Sequence, residues 1–177
     1  MTRRALHWNR IKGPKAWTAL AIGTAGGAGL APFAPGTFGT LVGVPIAWAV
    51  SGWAIDARVA LWVAIFAIGT WACAEFDHLM QSGDNQNLVI DEVVGVAITG
   101  WFAQDWKQWV AAFLLFRVFD ITKLPPVRQV DHWSKHAAMR GGKKGYWFDG
   151  FGVMADDAVA GLQGLLVFLL LRNFGLI

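Results

Sequence analysis

The sequence predicts an all-α, polytopic integral membrane protein whose hydrophobic segments are short or re-entrant. Three observations carry this reading. Of 177 residues, 55% are hydrophobic and only 15% are charged, with a mean hydropathy of +0.44, far from a soluble average. Uncharged runs recur at 16–55, 59–74, 93–104, 108–116 and 158–171. No alternating pattern suited to a β-barrel is present, and a segment in lipid must otherwise satisfy its own backbone as helix.

Residues 1–15 carry Arg3, Arg4, Arg10, Lys12 and Lys15 and read as a basic cytoplasmic tail lying on anionic lipid. The run that follows is too Gly-rich and too weakly apolar for the core of a signal peptide. Residues 16–177 then form a single membrane-embedded domain, since no internal repeat or low-complexity linker divides them. A helix beginning near Leu41 crosses outward by Ile55, and 59–74 returns. Residues 93–104 and 108–116 are each shorter than the ~20 residues a span needs. They cross only if Asp91, Glu92 and Arg117 lie near the interface, and form a re-entrant hairpin otherwise. Residues 158–171 exit, leaving 75–92 and 117–157 as two long polar loops. This parity puts every Lys and Arg except Arg58, Lys107 and Arg172 on the cytoplasmic side, as the positive-inside rule requires, together with the acidic clusters described next. The single cysteine, Cys73, excludes an intramolecular disulfide and cannot alone make a zinc site. No nucleic-acid partner is expected, and the sequence leaves the oligomeric state open.

The acids stand where a hydrophobic protein should not carry them: Asp84, Asp91, Glu92, Asp120, Asp156 and Asp157, each within a few residues of an apolar segment. Ionised groups near lipid are costly, so their default reading is a functional site, here an enzyme with a carboxylate-bound metal. Four stretches carry the chemistry. In APFAPGTFGT, at 31–40, Pro35 and Gly36 break the chain, while Thr37 and Thr40 offer hydroxyls beside free N–H groups, as phosphate sites at helix N-termini do. Taken alone, an ordinary helix start with Gly39 for close packing explains it better. In GDNQNLVIDEVVG, at 83–95, Asp91 and Glu92 open an apolar helix and complement its dipole. They project ~100° apart, so a metal would take one of them and a third carboxylate from elsewhere, with Asp84 a further candidate.

In FRVFDITKLPPV, at 116–127, Arg117, Asp120 and Lys123 recur every three residues on one helical face before Pro125 and Pro126 end the helix. A salt-bridge ladder is the plain explanation. At a membrane boundary the same face would hold phosphate through Arg117 and Lys123 and a metal through Asp120. In DGFGVMADDAVAG, at 149–161, Asp156 and Asp157 precede the last apolar run, and capping accounts for one of them but not both.

Together, APGTFGT, LVIDEVVG, FRVFDITKLPPVR and GFGVMADDAVAG, in this order and spacing, resemble the phosphatidylglycerophosphatase A family from about Gly23 to about Gly161. Its IVWDE is matched by LVIDE, with Ile90 in place of tryptophan, and its KPWPI by KLPPV. The resemblance implies a bacterial inner-membrane, Mg²⁺-dependent lipid phosphatase acting on phosphatidylglycerophosphate to leave phosphatidylglycerol, with its site facing the cytoplasm. It implies metal ligation by a subset of Asp91, Glu92, Asp120, Asp156 and Asp157. A phosphate grip would come from Arg117, Lys123 and the Thr37–Gly39–Thr40 turn, with Arg128. Glu92 would activate water, or an aspartyl-phosphate would form. A small ion-coupled transporter is the alternative, because intramembrane carboxylates also mark ion pathways. Against it stand the missing repeats and the one-sided acids.

Overall fold

A computed structural model of the chain describes residues 6–81, 85–140 and 145–177. Seven α-helices account for most of them: α1 (Gly13–Gly23), α2 (Pro35–Ala49), α3 (Ile55–Met80), α4 (Ile90–Thr99), α5 (Trp106–Thr122), α6 (Val127–Arg140) and α7 (Gly145–Asn173). No strand occurs among the described residues. The all-helical class agrees with the sequence, but several boundaries do not.

The uncharged run 16–55 is not a single span. It is broken at Gly26 and Gly27, both with positive φ, into α1 and α2. Helix α2 also starts at Pro35, not near Leu41. Ala34 takes a left-handed conformation that turns the chain, and the fixed φ of proline suits the first helical position. Thr37 and Thr40 therefore lie inside the first two turns of α2. The stretch 117–157 is likewise no loop. It holds the end of α5, all of α6 and the first three turns of α7. Helix α6 forms because it is amphipathic: Val127, Val130, Asp131 and Ser134 turn inward, whereas Arg128, Gln129, His132 and Trp133 face out. The polar stretch 75–92 begins with the last turns of α3, which extends to Met80 and closes at Gln81 in a left-handed cap.

The outer surface is apolar. Val110, Leu114, Val118 and Ile121 form an exposed stripe along α5, and Leu162, Leu166, Leu169 and Leu170 do the same on α7. Exposed apolar rows of this extent belong against lipid rather than water. Among the described residues two helices, α3 and α7, are long and apolar enough to cross a membrane. The polar groups turn inward, around α4.

Helix α4 is the axis of the packing. At ten residues it rises ~15 Å, about half the hydrocarbon thickness. All its residues except Ile98 are buried, against α2, α3, α5 and α7. Its contact with α7 is close because Gly95 and Gly161 face each other: a Cβ on Gly161 would sit 2.6 Å from the Gly95 carbonyl oxygen. Thr99 closes the seam, its hydroxyl 3.1 Å from the Gly161 carbonyl oxygen.

Candidate active site

The short α4 begins with its two acids, and the mid-point of α7 passes beside them. The carboxylates of Asp91, Glu92 and Asp157 meet there, each offering an oxygen within 4.8 Å of the others. All three residues are buried. Asp91 Oδ1, Glu92 Oε2 and Asp157 Oδ2 have no hydrogen-bond partner. Three converging carboxylates, each with a buried oxygen left unsatisfied, constitute the arrangement a hard cation relieves, since burying an unpaired carboxylate is strongly unfavourable. All-oxygen donors suit Mg²⁺, so these residues fit that ion.

Helix α5 supplies the basic counterpart. Arg117 Nη1 lies 3.6 Å from Glu92 Oε1 and donates to Asp120 Oδ2. Its Nε is buried without a partner. Asp120 in turn lies near enough to Asp157 for the two charges to bear on each other. Helix α2 closes the site from the other side. Its second residue, Gly36, is so close that a Cβ there would fall 2.1 Å from Glu92 Oε1 and 3.0 Å from Arg117 Nη1.

A second cluster borders the first. Lys123 follows the last residue of α5 in a left-handed conformation, which swings its side chain away from the Arg117 face. Its Nζ donates to Asp156 Oδ2 at 2.6 Å and to Asp131 Oδ1 at 2.8 Å. Lys135, one turn along α6, also reaches Asp131 at 2.8 Å. Burial pulls the Lys123 ammonium toward deprotonation, but Asp156 and Asp131 outweigh it and raise its pKa above the ordinary lysine range. Burial pushes the Asp131 carboxyl up, yet the bonds from Lys123 and Lys135 prevail and hold it below the usual range. Lys123 thus stays charged and ties α5, α6 and α7 together beside the carboxylates.

Of the five carboxylates from which a subset was expected to ligate, three converge, and they include both Asp91 and Glu92 rather than one of the two, because their side chains bend from the start of α4 toward the same point beside Asp157. Asp120 faces Arg117 and Asp157, and Asp156 faces Lys123. Asp84 lies outside the described residues. Thr40 is buried, its hydroxyl donating to the Gly36 carbonyl at 2.8 Å, and Gly39 packs on Val89. Neither therefore presents a donor to the site. Thr37 is half-buried, in the turn that carries Gly36, and Arg128 is exposed on the outer side of α6. Asp131 and Gly36 are additions that sequence reasoning missed. The i,i+4 spacing of Asp131 and Lys135 was a readable hint of the former.

The pattern of the phosphatidylglycerophosphatase A family matches residues 21–172, which include every helix that lines this cluster. The chain belongs to the phosphatidylglycerophosphatase A family. As a member it is a phosphoric monoester hydrolase. It is 33% identical to the phosphatidylglycerophosphatase A of Escherichia coli, with 91% of this chain and 87% of that protein aligned. It is 32% identical to the phosphatidylglycerophosphatase A of Haemophilus influenzae, over 84% of this chain and 83% of the other. A candidate phosphatidylinositol-3-phosphatase of Bacteroides thetaiotaomicron is 34% identical, over 85% and 91% of the two chains. No solved structure matches the chain. Within the phosphatidylglycerophosphatase A pattern, LVIDE supplies the paired acids of α4, KLPPV the Lys123 cap, and MADD the two acids of α7.

Proposed function

We propose that the protein is a Mg²⁺-dependent lipid phosphatase that hydrolyses the terminal phosphate monoester of phosphatidylglycerophosphate to phosphatidylglycerol. The observation that carries the reading is the convergence of Asp91, Glu92 and Asp157, each with an unsatisfied buried oxygen, opposite Arg117. Asp91, Glu92 and Asp157 would hold the ion. When bound, it would neutralise phosphate oxygens and position the ester, which is most of what phosphoryl transfer asks of a protein.

The chain's own residues supply the rest. Arg117 is anchored by Glu92 and Asp120 and has N–H capacity to spare, so it orients the phosphate and offsets charge on its equatorial oxygens. The water oxygen attacks phosphorus as Glu92 takes its proton on the carboxylate oxygen that it does not offer to the ion. The bond from phosphorus to the glycerol oxygen breaks, that oxygen takes a proton from solvent water as the alcohol leaves, and Glu92 returns its own proton to solvent, which restores the site. Lys123, engaged by Asp156 and Asp131, fixes the wall of the site.

The apolar exterior and the asymmetry of basic residues support a multi-pass protein of a bacterial cytoplasmic membrane with this cluster toward the cytoplasm. Family membership weighs against the transporter alternative. The test is phosphate release from phosphatidylglycerophosphate in neutral detergent, with Mg²⁺ or EDTA, for the wild type and Asp157→Asn. Phosphatidylinositol 3-phosphate serves as the comparison substrate, because one relative is named for it. Release that requires Mg²⁺ and vanishes in a folded Asp157→Asn protein is expected. Folded wild type that releases no phosphate under any divalent ion would refute the assignment.

A further inference from the structure

The far end of the helices carries a second polar site that the phosphatase reaction does not use. A cavity of about 380 Å³, within the size range of small-molecule sites, opens between the start of α3, the α4–α5 turn and the end of α7. Two arginines line it, Arg58 and Arg172, with Trp101, Gln104, Ser51 and Gly52. Both are held from behind. Arg58 Nη2 donates to the Trp101 carbonyl at 2.6 Å, and its guanidinium lies 4.1 Å over the Trp101 ring. Arg172 Nη1 donates to the Phe102 carbonyl at 3.0 Å.

Neither arginine has a carboxylate partner among the described residues. The acids nearest in sequence are otherwise placed: Asp105 caps α5 by accepting from the Lys107 and Gln108 amides, and Asp56 lies in the first turn of α3. Arg58 is 8% exposed, and its Nε is buried with no hydrogen-bond partner. Two guanidiniums fixed by carbonyls, without a counter-charge, make a preorganised anion receptor. The depth specifies the anion. Along α7, Asp157 and Arg172 are separated by about 22 Å, so the arginines sit toward the opposite face of the bilayer from the carboxylate cluster. Exposed Trp53, Phe102 and Trp106 surround the same end, as aromatic residues do at headgroup level.

We infer that Arg58, Arg172 and the α4–α5 turn bind the phosphodiester headgroup of an anionic phospholipid in the leaflet opposite the catalytic carboxylates. The site is distinct from the substrate site and independent of the reaction proposed there. Its function is to clamp the α4–α5 turn, and hence the far end of α4, to the membrane.

Native mass spectrometry of the full chain in neutral detergent tests this with phosphatidylglycerol, phosphatidylcholine and inorganic phosphate as probes. Wild type should retain phosphatidylglycerol over phosphatidylcholine. Arg172→Gln should weaken phosphatidylglycerol retention at least about tenfold, in both the native and Asp157→Asn backgrounds. Its turnover of phosphatidylglycerophosphate in neutral detergent should remain that of the wild type. Arg58→Lys, which keeps the charge if Arg58→Gln fails to fold, should weaken it less. Equal retention by wild type and folded Arg172→Gln would overturn the inference. Full displacement of lipid by millimolar inorganic phosphate would overturn the lipid assignment in favour of a free-anion site.

Discussion

Placing one methyl group at Gly36 should silence the enzyme without unfolding it. A Cβ at Gly36 would stand 2.1 Å from Glu92 Oε1, 3.2 Å from its Cδ and 3.0 Å from Arg117 Nη1. Side-chain carbons do not approach closer than 3.0 Å, so the Glu92 carboxylate must withdraw by at least about 0.9 Å, and displacements near 1 Å cost up to ~10²-fold in rate. The atom met is the far end of a side chain, so the carboxylate can turn aside at little cost to the fold, but in doing so it leaves its place 3.6 Å from Arg117. The helix itself tolerates the change, because Gly36, the second residue of α2, has no left-handed φ and its backbone accepts alanine without strain. The expected result for Gly36→Ala is a fall of ~10²-fold in kcat/KM for phosphate release, equal to ~2.7 kcal/mol of transition-state stabilisation, with Tm within a few degrees of wild type. Gly39→Ala is the contrast. Its Cβ would meet Val89 Cβ at 2.6 Å and the Val89 carbonyl oxygen at 2.8 Å, so it should lower Tm. A Gly36→Ala enzyme within threefold of wild type would refute both the closure of α2 over the site and the role of Glu92.

Mg²⁺ should raise the Tm of the wild type, and Asp91→Asn, Glu92→Gln or Asp157→Asn should each abolish that shift, because each removes one of three converging ligands; thermal melts with and without EDTA decide it. Lys123→Met should cost roughly 2 kcal/mol in denaturant unfolding, less than a fully buried pair because Lys123 keeps 34% of its side-chain exposure, whereas Lys123→Arg should recover part of it. Asp131 has a depressed pKa, so its contribution is full above its ordinary value of 3.8 and fades as pH falls through the lower folded value. The stability gap between wild type and Asp131→Asn should accordingly be constant near neutrality and shrink below about pH 3.8, as unfolding curves across that range would reveal. Gly161→Leu should prevent α4 from seating on α7 and leave little folded protein in detergent, visible as loss of the monodisperse peak in size-exclusion chromatography.

Much of the carboxylate cluster was legible because its acids interrupt apolar runs. Asp91 and Glu92 stand at the head of one such run and indeed open α4. The same cue misled for Asp156 and Asp157. Hydropathy treats a charge as the edge of a membrane segment, yet α7 continues through them, because Lys123 meets Asp156 and Asp157 lies among the enclosed acids. A partner 33 positions away leaves no trace in local pattern. The three-residue spacing of Arg117, Asp120 and Lys123 held for the first pair only, since a helix face extends no further than its cap, and Lys123 is that cap. Helix α6 was hidden by polarity. Its inward side chains include Asp131 and Ser134, and an inward aspartate looks like a solvated one until the lysine from the preceding turn is in place.

The enclosure of α4 also bears on how the protein is made. The chain emerges from the ribosome with α4 before α7, and until α7 arrives the buried seam formed by Gly95, Thr99 and Gly161 has only one side. A ten-residue helix headed by two acids is a poor substrate for insertion by itself. The wall that encloses α4 is therefore completed only by the final helix, and its buried amides should gain their full protection only once α7 is in place. A chain truncated before α7 should leave Asp91 and Glu92 without Asp157 and without the helix that covers them, so the last segment synthesised completes the site of the first acids.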